Sequence, residues 1–252
     1  MPRWNRWHTC SLCEQQYHGV VRSALGWACW KTYVGRPEMD VPRQAAMTAL
    51  GDGLFKAEHI EDVLSVREAD LAMKRRIGGH PEPMLVGQAN LADTYNLLGR
   101  YEDAVRIERD VYSGRLKLHG EEHKGTLTAA SNYATSLIFV KRFEEAKSLL
   151  RKTIPVARRI LEESDETALR VRWSYALALY VDTSATLGDL REAEATLEDT
   201  ERITRRVLGG AHPLRVEMED DLRRARAALA ARVGDDVSSV CEGVAAMTAK
   251  GA

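Results

Sequence analysis

The chain has 252 residues, 44% of them apolar and 29% charged, which is the composition of a folded globular protein rather than a disordered one. Lys and Arg total 36 against 37 Asp and Glu, a formal net charge of −1, so there is no overall pull toward nucleic acid or an acidic membrane surface. No apolar run approaches the roughly 20 residues that cross a bilayer. Four scattered cysteines, Cys10, Cys13, Cys29 and Cys241, do not make a disulfide framework, and a reducing, cytoplasmic setting is expected.

The first segment, residues 1–13, has basic residues but no apolar stretch behind them and is not read as a signal peptide. It contains Cys10-x2-Cys13, half of a tetrahedral zinc site. With Trp7 before the pair and Gln15-x-Tyr17-His18-Gly19 after it, the segment resembles the last ligand pair of a RING-CH zinc finger. That resemblance implies recruitment of ubiquitin-conjugating enzymes. Such a finger needs eight ligands, and the residues before Cys10 hold no cysteine. The expectation is therefore a truncated or lost finger, with Cys10 and Cys13 as the candidate zinc ligands and otherwise no cofactor. His8, His18 or Cys29 could add to the pair, but residues 18 and 29 lie about 16 Å apart along one helix and cannot share an ion.

Residues 14–40 read as a capping helix. Tyr17, Val20, Val21, Ala24 and Ala28 share one face, and Trp27, Trp30 and Tyr33 a neighbouring one. Gly35 and Pro37 end it. Two readings stand: the helix covers the first repeat with its aromatics filling the joint, or the aromatics anchor a partner.

From residue 41 to 213 the sequence repeats. Asn90-Leu91-Ala92 and Tyr101-Glu102-Asp103-Ala104 return as Asn132-Tyr133-Ala134 and Phe143-Glu144-Glu145-Ala146 at a constant offset of 42. Upstream, Leu50-Gly51 and Ile60-Glu61-Asp62-Val63 match at an offset of 41; downstream, Tyr175-Ala176 matches at 42 and Leu190-Arg191-Glu192-Ala193 at 47. The fourth unit thus has five extra residues near 181–187, read as a longer turn or an extended first helix. A fixed period of this size is one helical hairpin copied. Four hairpins are expected, at about 41–82, 83–124, 125–167 and 168–213. Small residues recur on the first helix (Gly51, Ala92, Ala134, Ala176) and the second (Val63, Ala104, Ala146, Ala193), where the pair must cross closely. Acids open the second helices and bases close them, matching the helix dipole. His80, His123 and His212 recur between hairpins and are expected to cap or pack there. Residues 214–232 read as a C-terminal capping helix, with Met218, Leu222 and Ala225 inside and Glu217, Glu219, Asp220 and Asp221 on a solvated face. Residues 233–252 read as a frayed tail.

These small-residue and aromatic positions resemble the tetratricopeptide repeat in its long form of about 42 residues, the kinesin-light-chain-like type, and a large set of algal proteins with the same repeat. The resemblance implies an all-α, right-handed superhelical solenoid of tetratricopeptide-type helical hairpins. It also implies a concave groove, lined by the first helices, that holds a protein or peptide partner through helix asparagines. Asn90 and Asn132 stand at that position, while Ala49 and Ser174 replace asparagine in the outer units. Around them Asp93, Asn96, Thr135, Phe139, Leu177 and Tyr180 are the candidate peptide contacts. The alternative for the asparagines is a hydrogen bond to a neighbouring helix that sets packing. No phosphate loop, His-Glu-x-x-His or nucleophile elbow is present, so the expectation is a non-enzymatic scaffold without nucleic-acid or membrane partners. The alternative is the substrate-binding part of a RING-CH-type ubiquitin ligase. The sequence does not determine the oligomeric state.

Overall fold

The computed structural model describes residues 4–10, 12, 17, 19–208 and 212–249, the side chains of residues 5, 213 and those beyond 234 excepted. After a 3-10 turn at Asn5–Trp7 come ten α-helices among the described residues: α1 Gly19–Tyr33, α2 Val41–Lys56, α3 Ile60–Ile77, α4 Pro81–Leu97, α5 Tyr101–His119, α6 Lys124–Phe139, α7 Phe143–Ile160, α8 Glu166–Tyr180, α9 Leu187–Val207 and α10 Pro213–Ala249. The pairs α2/α3, α4/α5, α6/α7 and α8/α9 are the four hairpins that the period marks out. α10 continues past the expected end at Arg232 to Ala249, so most of the segment expected to fray is helical.

The chain divides into two compact units, residues 1–115 and 116–252. In the first, Leu50, Leu54 and Val63 form one core cluster and Leu71, Leu91, Ala92, Tyr95 and Ala104 another. In the second, Leu169, Ile203, Leu214 and Met218 close α8 and α9 against α10. The small residues are buried as their spacing requires: Ala92, Ala104, Ala134, Ala146, Ala176 and Ala193 all have 0% exposure. Helix crossings this close exclude larger side chains.

The turns inside the first three hairpins share one conformation. Glu58, Gly99 and Lys141, at equivalent repeat positions, have φ of 61°, 72° and 61°. Only the middle one is glycine, so the other two accept a left-handed backbone that an L side chain disfavours. In the fourth hairpin the extra residues lengthen the turn, which runs from Val181 to Thr186, and start α9 three residues ahead of its aligned position. Of the two readings, the longer turn holds; α8 is not extended. A capping box between Thr186 and Asp189 fixes the new helix start.

First helices begin on a common cap. Asp40, His80, His123 and Asp165 each accept a backbone N–H from the following turn with the side chain. The histidines that recur in the connectors are thus helix caps at His80 and His123, and Asp165 holds the same position one unit on.

The face of α1 that carries Val20, Val21, Ala24 and Ala28 is turned outward. Val20 is 82% exposed, Val21 54% and Trp27 43%, and Ala24 and Ala28 are not buried either. The buried face is Arg22, Ser23, Gly26 and Cys29, with Trp30 and Tyr33 packed beside it. Backbone proximity explains which face is covered. A Cβ on Gly26 would lie 2.9 Å from the Ala49 carbonyl oxygen, so α1 rests on α2 through its smallest residues rather than its most apolar ones. Of the aromatics, Trp30 and Tyr33 fill the joint and Trp27 does not.

Candidate functional site

All eight residues expected to meet a peptide lie on first helices: Asn90, Asp93 and Asn96 on α4, Asn132, Thr135 and Phe139 on α6, and Leu177 and Tyr180 on α8.

In the first unit Asn90 is half-buried, and among the described residues its side-chain amide makes no hydrogen bond within the chain. Its carbonyl oxygen is strongly held. It accepts from Arg67 Nη1 and, at 3.2 Å, from Thr94 Oγ1. Arg67 is 7% exposed; Nη1 also donates to Thr94 Oγ1 at 2.7 Å, the guanidinium sits 4.6 Å from the Phe55 ring, and Nη2 lies 3.7 Å from Asp52. Burial pulls the Arg67 pKa below its usual value, with Asp52 and Asp93 opposing. Sequence reasoning misses this buried arginine, which ties α3 to the backbone beneath Asn90. The signal for it is the repeat register: the core position held by Leu150 and Leu197 is Arg67 in the first hairpin and Glu108 in the second, all of them buried. Asp93 and Asn96 are half-buried and already engaged within the chain.

In the second unit Asn132 repeats the behaviour of Asn90: it is half-buried, and among the described residues its amide is not hydrogen-bonded within the chain. Among the described residues neither asparagine amide makes the packing bond to a neighbouring helix that is the competing expectation. Thr135 differs. Its hydroxyl donates to the Ser131 carbonyl at 3.0 Å and lies 3.3 Å from Ser174 Oγ, which is 3.1 Å from Ser131 Oγ. These hydroxyls join α6 to α8, so Thr135 serves the helix pair. Phe139 is 46% exposed and Leu177 half-buried.

Tyr180 is turned to the end of the unit. Its hydroxyl donates to Asp221 Oδ1 at 2.5 Å, and Trp173 Nε1 donates to Oδ2 of the same carboxylate at 2.7 Å. Burial, then the hydrogen bond and charge of Asp221, push the Tyr180 phenol well above its usual pKa. The solvated face expected for α10 therefore excludes Asp221, which is 6% exposed. It sits between Met218 and Leu222, on the edge of the stripe that α10 buries.

At the N-terminus Cys10 is half-buried, and Cys13 lies outside the described residues. His8 Nδ1 is 2.5 Å from Arg22 Nη2, and burial followed by this cation lowers the His8 pKa. A guanidinium at that distance does not suit His8 as a ligand to a metal cation. Cys29 is fully buried against Ala46 and Ala49, and burial pushes its thiol up to about 11. Among the described residues no group of three or more His, Cys, Asp or Glu side chains converges as a metal site. No described helix is long and apolar enough to cross a membrane.

The tetratricopeptide repeat family matches residues 84–159. None of the curated proteins matches this chain. Among solved structures, the chain is similar to a Podosopora anserina protein named as a kinesin light chain with nearly identical TPR-like repeats, at a TM-score of 0.60 and 22% identity over 86% of this chain and 98% of that one. A singly substituted form of that protein aligns at 0.58 and 20% identity, over 75% and 85% of the two chains. BtubC (BKLC) from P. vanneervenii aligns at 0.61 and 15% identity, over 88% and 91%. At these identities the likeness establishes the fold. Tetratricopeptide repeats are thus matched at residues 84–159, and the rest of the likeness is one of fold.

Proposed function

We propose that the chain is a non-enzymatic protein-interaction scaffold, with peptide contacts offered by α4 in the first unit and by α6 and α8 in the second. Stacked helical hairpins present extended surfaces of this kind. The observation that carries the reading is the pair Asn90 and Asn132. They occupy the same repeat position, remain partly exposed, and have amides not hydrogen-bonded within the chain among the described residues. Each amide has donors and an acceptor to offer to a peptide backbone, which recognises main chain without demanding a sequence. Asp93 and Asn96 follow Asn90 on α4, and Phe139 of α6 and Leu177 of α8 supply apolar contact. Thr135 and Tyr180 contribute by fixing α6 and α8 rather than by touching the ligand. The expected partners are proteins, not nucleic acid or membrane, in the cytoplasm, and no cofactor is required.

The test is affinity enrichment with the intact chain beside an Asn90→Ala, Asn132→Ala variant, followed by measured binding of a recovered partner's peptide. The variant, folded as judged by circular dichroism, is expected to lose at least tenfold in affinity. Equal binding would remove the asparagines from the site and the reading with them. Zinc content of the purified chain is a separate measurement, and one bound ion per chain would overturn the cofactor-free part of the proposal.

A further inference from the structure

A cleft of about 500 Å³ opens in the first unit where the end of α3, the α3–α4 connector and the start of α4 meet the segment before α2. Its volume lies within the range typical of ligand pockets, about 300–1,000 Å³. Met39, Ile77, Pro83, Met84 and Leu85 supply apolar walls, and the buried Lys74 lines it. None of the peptide-contact candidates on α4, α6 or α8 borders it.

Lys74 lies at a position that is basic again in the second hairpin, as Arg115, and small in the third and fourth. Asp70 and Lys74 occupy the places that Thr153 and Ala157 hold in the third hairpin and Thr200 and Thr204 in the fourth. Both are buried, at 4% and 8% exposure, and Lys74 Nζ donates to Asp70 Oδ2 at 2.5 Å. An ammonium has three hydrogens to donate. Among the described residues Asp70 is its one hydrogen-bond acceptor, and Asp70 Oδ1 is buried with no hydrogen-bond partner. Gly87 of α4 faces the ammonium; a Cβ there would lie 3.4 Å from Nζ, an ordinary contact. The first hairpin therefore places an ion pair with unused donors beside an apolar cleft, where the second has Val111 and Arg115 and the third and fourth have small residues.

The charge of the pair decides what the cleft accepts. Lys74 and Asp70 cancel, so a further charge would have to be desolvated without a counter-ion. A neutral acceptor meets the spare ammonium hydrogens without that penalty. Flexible methionines on a binding wall suit side chains of varied shape. We propose that this cleft takes a neutral, apolar peptide segment of a partner protein. Its side chain rests between Met39 and Met84, and its main-chain carbonyl accepts from Lys74. The proposal stands independently of the asparagine site.

The test uses the full chain labelled with ¹³C at the methionine methyls, titrated with N-acetyl-Leu-Phe-N-methylamide and, separately, with the free acid of the same dipeptide. Saturable shifts at Met39 and Met84 are expected, with the methylamide binding at least threefold tighter than the acid. A Lys74→Leu, Asp70→Leu variant retains apolar volume but no donor and is expected to bind at least fivefold more weakly. Should that variant fail to fold, Met39→Asp changes a residue that is 72% exposed and places a charge at the mouth; the same fivefold loss is expected. Absence of saturation, equal or tighter binding of the acid, or undiminished binding by the folded variants would overturn the proposal.

Discussion

Gly53 of α2 lies against the backbone of Arg22 in α1, so close that a Cβ added to Gly53 would stand 2.8 Å from the Arg22 carbonyl oxygen. Backbone cannot yield as a flexible side chain can. Gly53→Ala is expected to destabilise the chain by about 1–3 kcal/mol, the usual range for overpacking. Gly188→Ala is the control. It meets only Thr186 Oγ1, at an ordinary 3.5 Å, and is expected to stabilise by about 0.5–1 kcal/mol through helix propensity. Urea unfolding of both variants checks the pair; a neutral Gly53→Ala would mean α1 does not need its close seat.

Lys141 holds the left-handed turn position that Gly99 holds one repeat earlier. Lys141→Gly relieves that strain, less the added freedom of the unfolded chain, for a net gain of about 0.5–1 kcal/mol. At this chain length that corresponds to a rise in Tm of roughly 1–4 °C. Calorimetry at matched scan rates would register it.

Lys147 and Asp182 form a buried pair at 3.0 Å, with side chains 4% and 6% exposed. Asp182 comes from the residues that lengthen the fourth turn, and it also accepts from the Ser184 N–H at 2.9 Å. Burial opposes its ionisation, but hydrogen bonds from Ser184 and Lys147 together hold its carboxyl below the usual range. Its contribution is therefore present above the unfolded carboxyl pKa of about 3.9 and is lost as pH falls through the lower folded value. Asp182→Asn is expected to cost about 3 kcal/mol at neutral pH, because Lys147 stays buried and loses its buried carboxylate partner, keeping the exposed Glu144. The variant should also show a flatter loss of stability in acid. A stability–pH series from neutral into strong acid reads both effects.

The Tyr180 phenol, raised by burial and by Asp221, stays protonated in the folded chain at pH values that ionise an unfolded tyrosine. Stability from this group is complete below about pH 10 and falls as pH climbs beyond it. Tyr180→Phe is expected to lose about 1–2 kcal/mol at neutral pH and to have a shallower alkaline decline. Absorbance at the tyrosinate band during alkaline unfolding, compared with the parent chain, would show whether one phenol ionises only on unfolding.

The period of about 42 residues, the small residues at each crossing and the acids opening each second helix pointed to four helical hairpins, although α4, α6 and α8 start one or two residues ahead of the expected boundaries. These are local and periodic features, written into every copy. What one copy does differently was hidden. Nothing in the spacing of Val20, Val21, Ala24 and Ala28 says that their face is left outside, because the outcome rests on how near the α1 backbone comes to Ala49 and Leu50. Arg67 and Lys74 read as surface charges one at a time, and comparison across repeats is what marks their positions as core, whereas Asp221, on the capping helix, shows its burial only in the structure. Asn90 and Asn132 were legible as candidates. Their partly exposed, uncommitted amides were not, since that depends on where the neighbouring helix ends up.

By itself, then, the sequence determined the repeating hairpin, since each copy carries its own helix starts, turn and crossing residues. Tertiary structure alone decided which face of α1 is covered, where the charges of Arg67, Lys74 and Tyr180's partner are neutralised, and which polar groups stay available. Those outcomes depend on distances of a few tenths of an ångström between elements far apart in the chain, and hydrophobic periodicity contains no record of them.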